Sequence, residues 1–169
     1  MPSPVGHALG GLAAGCFVSR RLDPRILVTF AVVGTLPDFD FLLPIQHRGP
    51  SHSVTAAAGA FVVALLLLEF VWPTRHRFRL AVAIGAAYLS HTVLDWLGED
   101  TWSPNGIMAL WPFSLTFYIS GLDVFNSVNR RYWVAGFWRD NTIAVIREIV
   151  VLGPIAALAW VVSRRRGDG

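Results

Sequence analysis

The sequence predicts an all-α protein, a polytopic integral membrane bundle of about five spans forming a single membrane-embedded domain. Three observations carry this. Of its 169 residues, 54% are hydrophobic and only 15% charged, with a mean hydropathy of +0.51, which is unusual for a soluble domain. The apolar residues gather in runs close to the roughly 20 needed to cross a bilayer core. The positive charges fall in short clusters at the ends of those runs, where topology signals lie.

Residues 4–19 form a small-residue helix in which Gly6 with Gly10, and Gly11 with Gly15, have the spacing that lets another helix approach closely. Residues 26–45 are apolar apart from Thr29, Asp38 and Asp40, and Pro37 is expected to break or kink this span just before Asp38. Residues 54–72 make the clearest span, with Ser51 as its expected N-cap. Residues 80–97 carry Ser90, His91 and Asp95 toward their end. Residues 98–142 are an aromatic-rich connection, and residues 143–162 form the last span, interrupted by Arg147, Glu148, Gly153 and Pro154.

Charge gives the orientation. All 14 basic residues are Arg. With five spans, Arg20, Arg21 and Arg25, then Arg75, Arg77 and Arg79, then Arg164, Arg165 and Arg166 share one side. The positive-inside rule makes that side cytoplasmic, with the N-terminus outside and the C-terminus inside. The expected location is the plasma (cytoplasmic, inner) membrane, with membrane lipids as neighbours. The net charge of +3 and pI near 9.7 come from scattered clusters rather than a binding stripe, so nucleic acid is not expected as a partner. The single Cys16 excludes an internal disulfide, and no basic segment precedes the first apolar run, so no cleaved signal peptide is expected.

The same topology gathers the chemistry-bearing residues on the opposite face: His7, the window Asp38 to His52, and the pair His91 and Asp95. That pair is four apart on a helix, so both side chains share one face as a bidentate metal platform or as partners in a hydrogen bond. Asp38 and Asp40 are two apart and would point the same way from an extended backbone. Asp38, placed by Pro37, is the better ligand, whereas Asp40 serves equally as a polar cap. His47 and His52 flank an Arg-Gly-Pro turn leading into a helix start, where Arg48 either grips an anion or snorkels to the headgroups. His76, in the basic loop, has no expected role. Arg147 and Glu148 suggest an ion pair with Asp95 or Asp123. Trp102, Trp111, Phe113, Phe117, Tyr118, Trp133, Phe137 and Trp138 read as an interfacial belt.

Taken together, Gly6-His7-Ala8, Leu36-Pro37-Asp38-Phe39-Asp40, His47-Arg48-Gly49-Pro50-Ser51-His52-Ser53, Ser90-His91-Thr92-Val93-Leu94-Asp95 and Leu110-Trp111-Pro112-Phe113-Ser114 resemble the YdjM-type group of membrane-bound hydrolases thought to depend on metal. That group is distantly similar to the zinc-dependent phospholipases C. The resemblance implies one or two divalent metals, zinc by analogy, held by His7, Asp38, His52, His91 and Asp95, with Asp40 and His47 next in line.

The expected function is a membrane hydrolase at the outer face, acting on a small-molecule or lipid phosphoester through a metal-activated water. Asp40 or His47 would act as general base and Arg48 would hold an anionic headgroup. The alternative is a metal-binding or ion-transporting membrane protein without chemistry. It would call for acidic or His residues continuing toward the cytoplasm, and Glu69 alone stands near that end.

Overall fold

Glycine placement on the first helix decides how the others pack. The computed structural model describes residues 1–20, 22–44, 46–71 and 73–167. Among these are five α-helices: α1 Pro4–Val18, α2 Pro24–Thr35, α3 Val54–Phe70, α4 Arg77–Leu97 and α5 Phe137–Gly167. A Cβ on Gly6 would come within 2.8 Å of Glu148 in α5, and one on Gly11 within 2.9 Å of the Gly34 Cα in α2. Gly10 faces Leu94 of α4, and Gly15 faces the Phe30 ring of α2. Each neighbour is thus admitted to van der Waals contact by a missing side chain on α1, which sits at the centre of the bundle. α3 packs on α4.

Starts and ends follow local chemistry. Ser3 caps α1 by accepting from Val5 and Gly6 N–H, and Pro4 opens the helix where no N–H is needed. Asp23 caps α2 in the same way, ahead of Pro24. Behind α1, Cys16, Phe30, Ala83 and Ala87 form a closed apolar core. Phe30 is fully buried, a burial that contributes about 1.5–3 kcal/mol.

The helix directions sort the polar residues to opposite ends. Ser3 meets Glu148 while Ser163 donates to the Ser19 carbonyl, so α1 and α5 run parallel. Gly11 against Gly34 and Gly15 against Phe30 make α1 and α2 antiparallel, and Pro2 against Gly98 with Gly10 against Leu94 and Ser90 does the same for α1 and α4. Arg20, Arg25 and Arg164 to Arg166 therefore lie at the opposite end from His7, Asp38, His52, His91 and Asp95. Glu69, at the arginine end, is paired with Arg77 at 2.5 Å.

Two helices, α4 and α5, are long and apolar enough to cross a membrane, and α1 and α3 are shorter apolar helices. The segment 26–45 differs from expectation. α2 has 12 residues, about 18 Å of rise against a hydrocarbon core of about 30 Å. The α-helix gives way at Leu36 to a 3-10 segment, Leu36–Leu42, with Pro37 at its start. Pro37 thus has the predicted effect, and the carboxylates stand beyond the helix rather than on it. Ile45, Arg21 and Trp72 lie outside the described residues. Pro154 does not end α5, which runs through it.

Three local expectations are corrected. The N-cap of α3 is Ser53, which accepts from Ala56 N–H at 3.0 Å, because the Ser51 hydroxyl is drawn to Asp40 instead. Arg147 binds the Asn126 side chain at 2.6 Å and the Asp123 carbonyl at 3.2 Å, and forms no pair with Asp95. Glu148 accepts from the Ser3 N–H at 2.6 Å and the Ser3 hydroxyl, so it holds the start of α1 rather than an arginine. The connection 98–136 has no strand among the described residues, only isolated bridges of Gly98 with Phe125 and Ile107 with Tyr118.

Candidate metal centre

Five side chains from four segments meet where α1 begins and α4 ends. His7 comes from the second turn of α1, and Asp38 from the 3-10 segment after α2. His52 comes from the short turn Pro50–His52, and His91 and Asp95 from consecutive turns of α4. Both His52 and His91 are wholly buried, and His7 and Asp95 nearly so. His52 Nε2 stands 3.7 Å from Asp38 Oδ1 and 3.4 Å from Asp95 Oδ2. His91 Nε2 stands 3.7 Å and 3.2 Å from the same two oxygens. The other carboxylate oxygens face His7, whose Nε2 is 3.4 Å from Asp95 Oδ1 and 4.0 Å from Asp38 Oδ2. The His7 and His91 rings stack at 3.7 Å.

Hydrogen-bond accounting fixes what these atoms are. His91 Nδ1 lies 2.9 Å from the Gly34 carbonyl, which can only accept, so Nδ1 carries a hydrogen and Nε2 is the nitrogen turned toward the carboxylates. The Ser51 hydroxyl gives its proton to Asp40 Oδ2 at 2.7 Å and offers His52 Nδ1 only a lone pair at 3.0 Å. His52 Nδ1 therefore carries a hydrogen, and its Nε2 is the nitrogen turned toward Asp38 and Asp95. Among the described residues, His52 Nε2, His91 Nε2, both Asp95 oxygens and His7 Nδ1 are buried without a hydrogen-bond partner. Such orphans cost about 1–3 kcal/mol each, more when charged.

Nitrogens and carboxylate oxygens gathered without hydrogen-bond partners form a set that a cation would satisfy. A tetrahedral ion with bonds of about 2.1 Å needs donors about 3.4 Å apart. His52 Nε2 and His91 Nε2 each stand 3.2–3.7 Å from Asp38 Oδ1 and Asp95 Oδ2, close to that spacing. Three overlapping groups drawn from His7, Asp38, His47, His52, His91 and Asp95 could hold a metal ion. His91 Nε2 and Asp95 Oδ2 stand 3.2 Å apart, and neither His91 Nε2 nor either Asp95 oxygen is in a hydrogen bond among the described residues.

Asp40 lies beneath the cluster and does not join it. A 3-10 segment turns about 120° per residue, so residues two apart diverge. Asp38 faces the cluster, and Asp40 faces back toward the His47–His52 turn. It accepts from His47 Nδ1 at 2.7 Å, Arg48 N–H at 3.3 Å and Ser51, and stands 3.4 Å from His52 Nδ1. A carboxylate behind a ligating imidazole fixes its tautomer and orientation. Arg48 adopts a left-handed backbone, φ 63°, which turns its N–H to Asp40 at a cost of about 1–2 kcal/mol.

The cluster opens onto a cavity of about 430 Å³ lined by His7, Asp38, Asp95, His47, Arg48, Trp102, Arg130, Arg131 and Trp133. His47, with Nδ1 committed to Asp40, turns Nε2 toward Arg130 at 3.4 Å. Burial pushes its imidazole below the ordinary histidine range, against the pull of Asp40, so the ring is neutral at pH 7. Arg48 is less free than expected: it pairs with buried Asp100 and reaches the Trp102 carbonyl at 3.4 Å. Of the expected belt, Trp102 and Trp133 line the cavity, while Phe113 and Trp138 project outward at 90% and 78% exposure.

Sequence reading missed Asp100, which also accepts from Gly106 N–H at 2.7 Å, and Tyr88, whose hydroxyl donates to the Ser51 carbonyl at 2.8 Å. It also missed Arg130 and Arg131. Their signal was an Arg-Arg pair on the histidine side of the predicted topology.

Fold and site define a class: an all-helical protein with helices of membrane-crossing length and a buried His/Asp cluster fit to hold a divalent ion. The chain belongs to the YdjM inner membrane protein family, whose model matches residues 1–167. No curated protein and no solved structure gave a significant match.

Proposed function

We propose that the protein is a metal-dependent hydrolase of the inner membrane, acting on a phosphoester or lipid headgroup at the outer face. The observation that carries this is the facing of His52 and His91 Nε2 against Asp38 and Asp95 oxygens, with His7 alongside, at the floor of a cavity. His7, Asp38, His52, His91 and Asp95 hold the metal. Neutral imidazoles with carboxylates suit zinc, and the split of each carboxylate between the His52/His91 pair and His7 suits two ions. A divalent ion held there supplies an acidified water and polarises the bond to be cut.

The chain's own groups do the rest. His47, oriented by Asp40, takes a proton at Nε2 once Arg130 is drawn toward the substrate, so the base is His47 and Asp40 its orienter. Trp102 and Trp133 cover the mouth with apolar surface suited to a lipid-borne substrate. The orientation follows from the arginines of the far end on the cytoplasmic side, α4 and α5 crossing fully and the shorter α1, α2 and α3 completing five passes.

The test is elemental analysis and phosphoesterase assay of the purified protein in detergent, wild type against His91→Ala and Asp38→Ala. The reading expects one or two zinc per chain, lost with activity in both variants. Unchanged metal in both sinks the centre. Bound metal with no turnover on any phosphoester leaves the metal-binding alternative. A C-terminal reporter active on the outside would overturn the orientation.

A further inference from the structure

Resting on the hydrolase reading above, and deepening it, we infer that Arg130, seconded by Arg131, is the anion-binding element of the cavity, and that its ligand is the terminal phosphate of a phosphomonoester. Among the described residues, the direct contacts of the Arg130 guanidinium are an aromatic ring and an imidazole, and Asp38, Asp95 and Asp40 act on it only across the cavity. Its guanidinium lies 4.0 Å over the Phe41 ring and its Nη2 lies 3.4 Å from the bare Nε2 of His47. Arg131 lies 4.6 Å over the Trp102 ring. Among the described residues, neither arginine has a carboxylate within ion-pair distance, while Arg48 is paired with Asp100 and Arg77 with Glu69. Aromatic faces position a guanidinium without cancelling its charge.

Charge balance then names the ligand. Asp38 and Asp95, with Asp40 beneath them, carry three negative charges, which the two divalent ions of the proposed centre exceed by one. Arg130 and Arg131 add two positive charges to the same cavity wall. The complement is a dianion, and the planar fork of arginine matches two phosphate oxygens at once. A diester carries a single charge and would leave more of this positive charge unmatched than a dianion does. Arg48, neutralised by Asp100, is not the clamp.

The test is calorimetric titration of inorganic phosphate into the full chain in nanodiscs of phosphatidylcholine, with metal content measured on each sample. Arg130→Gln should weaken phosphate binding tenfold or more, Arg130→Lys should recover only part of it, and Arg139→Gln, an equal charge loss outside the cavity lining, should change nothing. Metal content should stay at the wild-type value in all three. Wild-type affinity in Arg130→Gln overturns the inference, and so does metal lost together with phosphate, since Arg130 would then act through the centre. A wild type without metal whose phosphate binding still needs Arg130 overturns the hydrolase reading and leaves the anion site standing. Competition by phosphatidic acid in the disc assigns the phosphate to a lipid, and competition by glycerol 3-phosphate alone assigns it to a soluble ester. Competition by neither, or equally by the diester phosphatidylglycerol, rejects the phosphomonoester.

Discussion

His91 Nε2 faces Asp95 Oδ2 across 3.2 Å while His91 Nδ1, on the other side of the ring, is engaged with the Gly34 carbonyl. The i, i+4 spacing on α4 puts the two side chains together, and a backbone carbonyl of α2 decides which nitrogen looks inward. A packing contact between helices thus sets the chemistry of the pair.

Metal removal is the first consequence. If the proposed ion is held there, stripping it leaves Asp38 and Asp95 facing imidazole nitrogens without the charge that joins them. Binding at a hundredfold excess over Kd contributes about 2.7 kcal/mol. Chelation should therefore lower the thermal midpoint in detergent by several degrees and zinc should restore it; an unmoved midpoint argues against a filled centre.

Asp40→Asn tests the carboxylate beneath the cluster. The substitution keeps the shape but weakens the hold on His47 and His52. Loss of such a supporting group costs about 10–100-fold in metal affinity or activity. Competition with a calibrated zinc chelator measures it, and wild-type affinity together with wild-type turnover would remove Asp40 from the site.

Gly11→Ala should destabilise the bundle by about 1–3 kcal/mol, since the new methyl would meet Gly34 Cα at 2.9 Å, a backbone atom that cannot rotate away. Gly59→Ala, in α3 with nothing within 4 Å, should be neutral or gain up to about 1 kcal/mol from helix propensity. Denaturant unfolding of the pair separates close packing from propensity, and equal effects would refute the packing account.

Glu148→Ala leaves the Ser3 N–H and hydroxyl at the buried start of α1 without their acceptor. A loss of about 1–3 kcal/mol is expected. Because Ser3 precedes His7 by one helical turn, metal affinity should fall too, and Glu148→Gln, which keeps an acceptor oxygen, should recover part of both.

Much of this was legible beforehand. Apolar run length marked all five helices, because burying such runs is the dominant driving force and leaves a plain trace in composition. The Arg clusters and the His and Asp motifs sorted to opposite ends by simple alternation of direction, and the packing of α1 against α2, α4 and α5 has that sense. The glycine pairs on α1 marked close approach, though not which neighbour each would admit.

What the sequence by itself determined was the helical class, the two-ended distribution of charge, and the residue types able to meet a metal. Tertiary structure alone decided their roles. The 3-10 turn after Thr35 separated Asp38 from Asp40, sending one to the cluster and the other beneath it. The Gly34 carbonyl and the Ser51 hydroxyl selected the inward nitrogens of His91 and His52, and Asp100 took Arg48 out of play. Arg130, 83 residues from His47 along the chain, arrived at its edge through an irregular connection. Spacing along a chain specifies which side chains share a face of one element. Tautomer, ion pairing and the neighbours of a cavity depend on contacts between elements, for which no local periodicity exists.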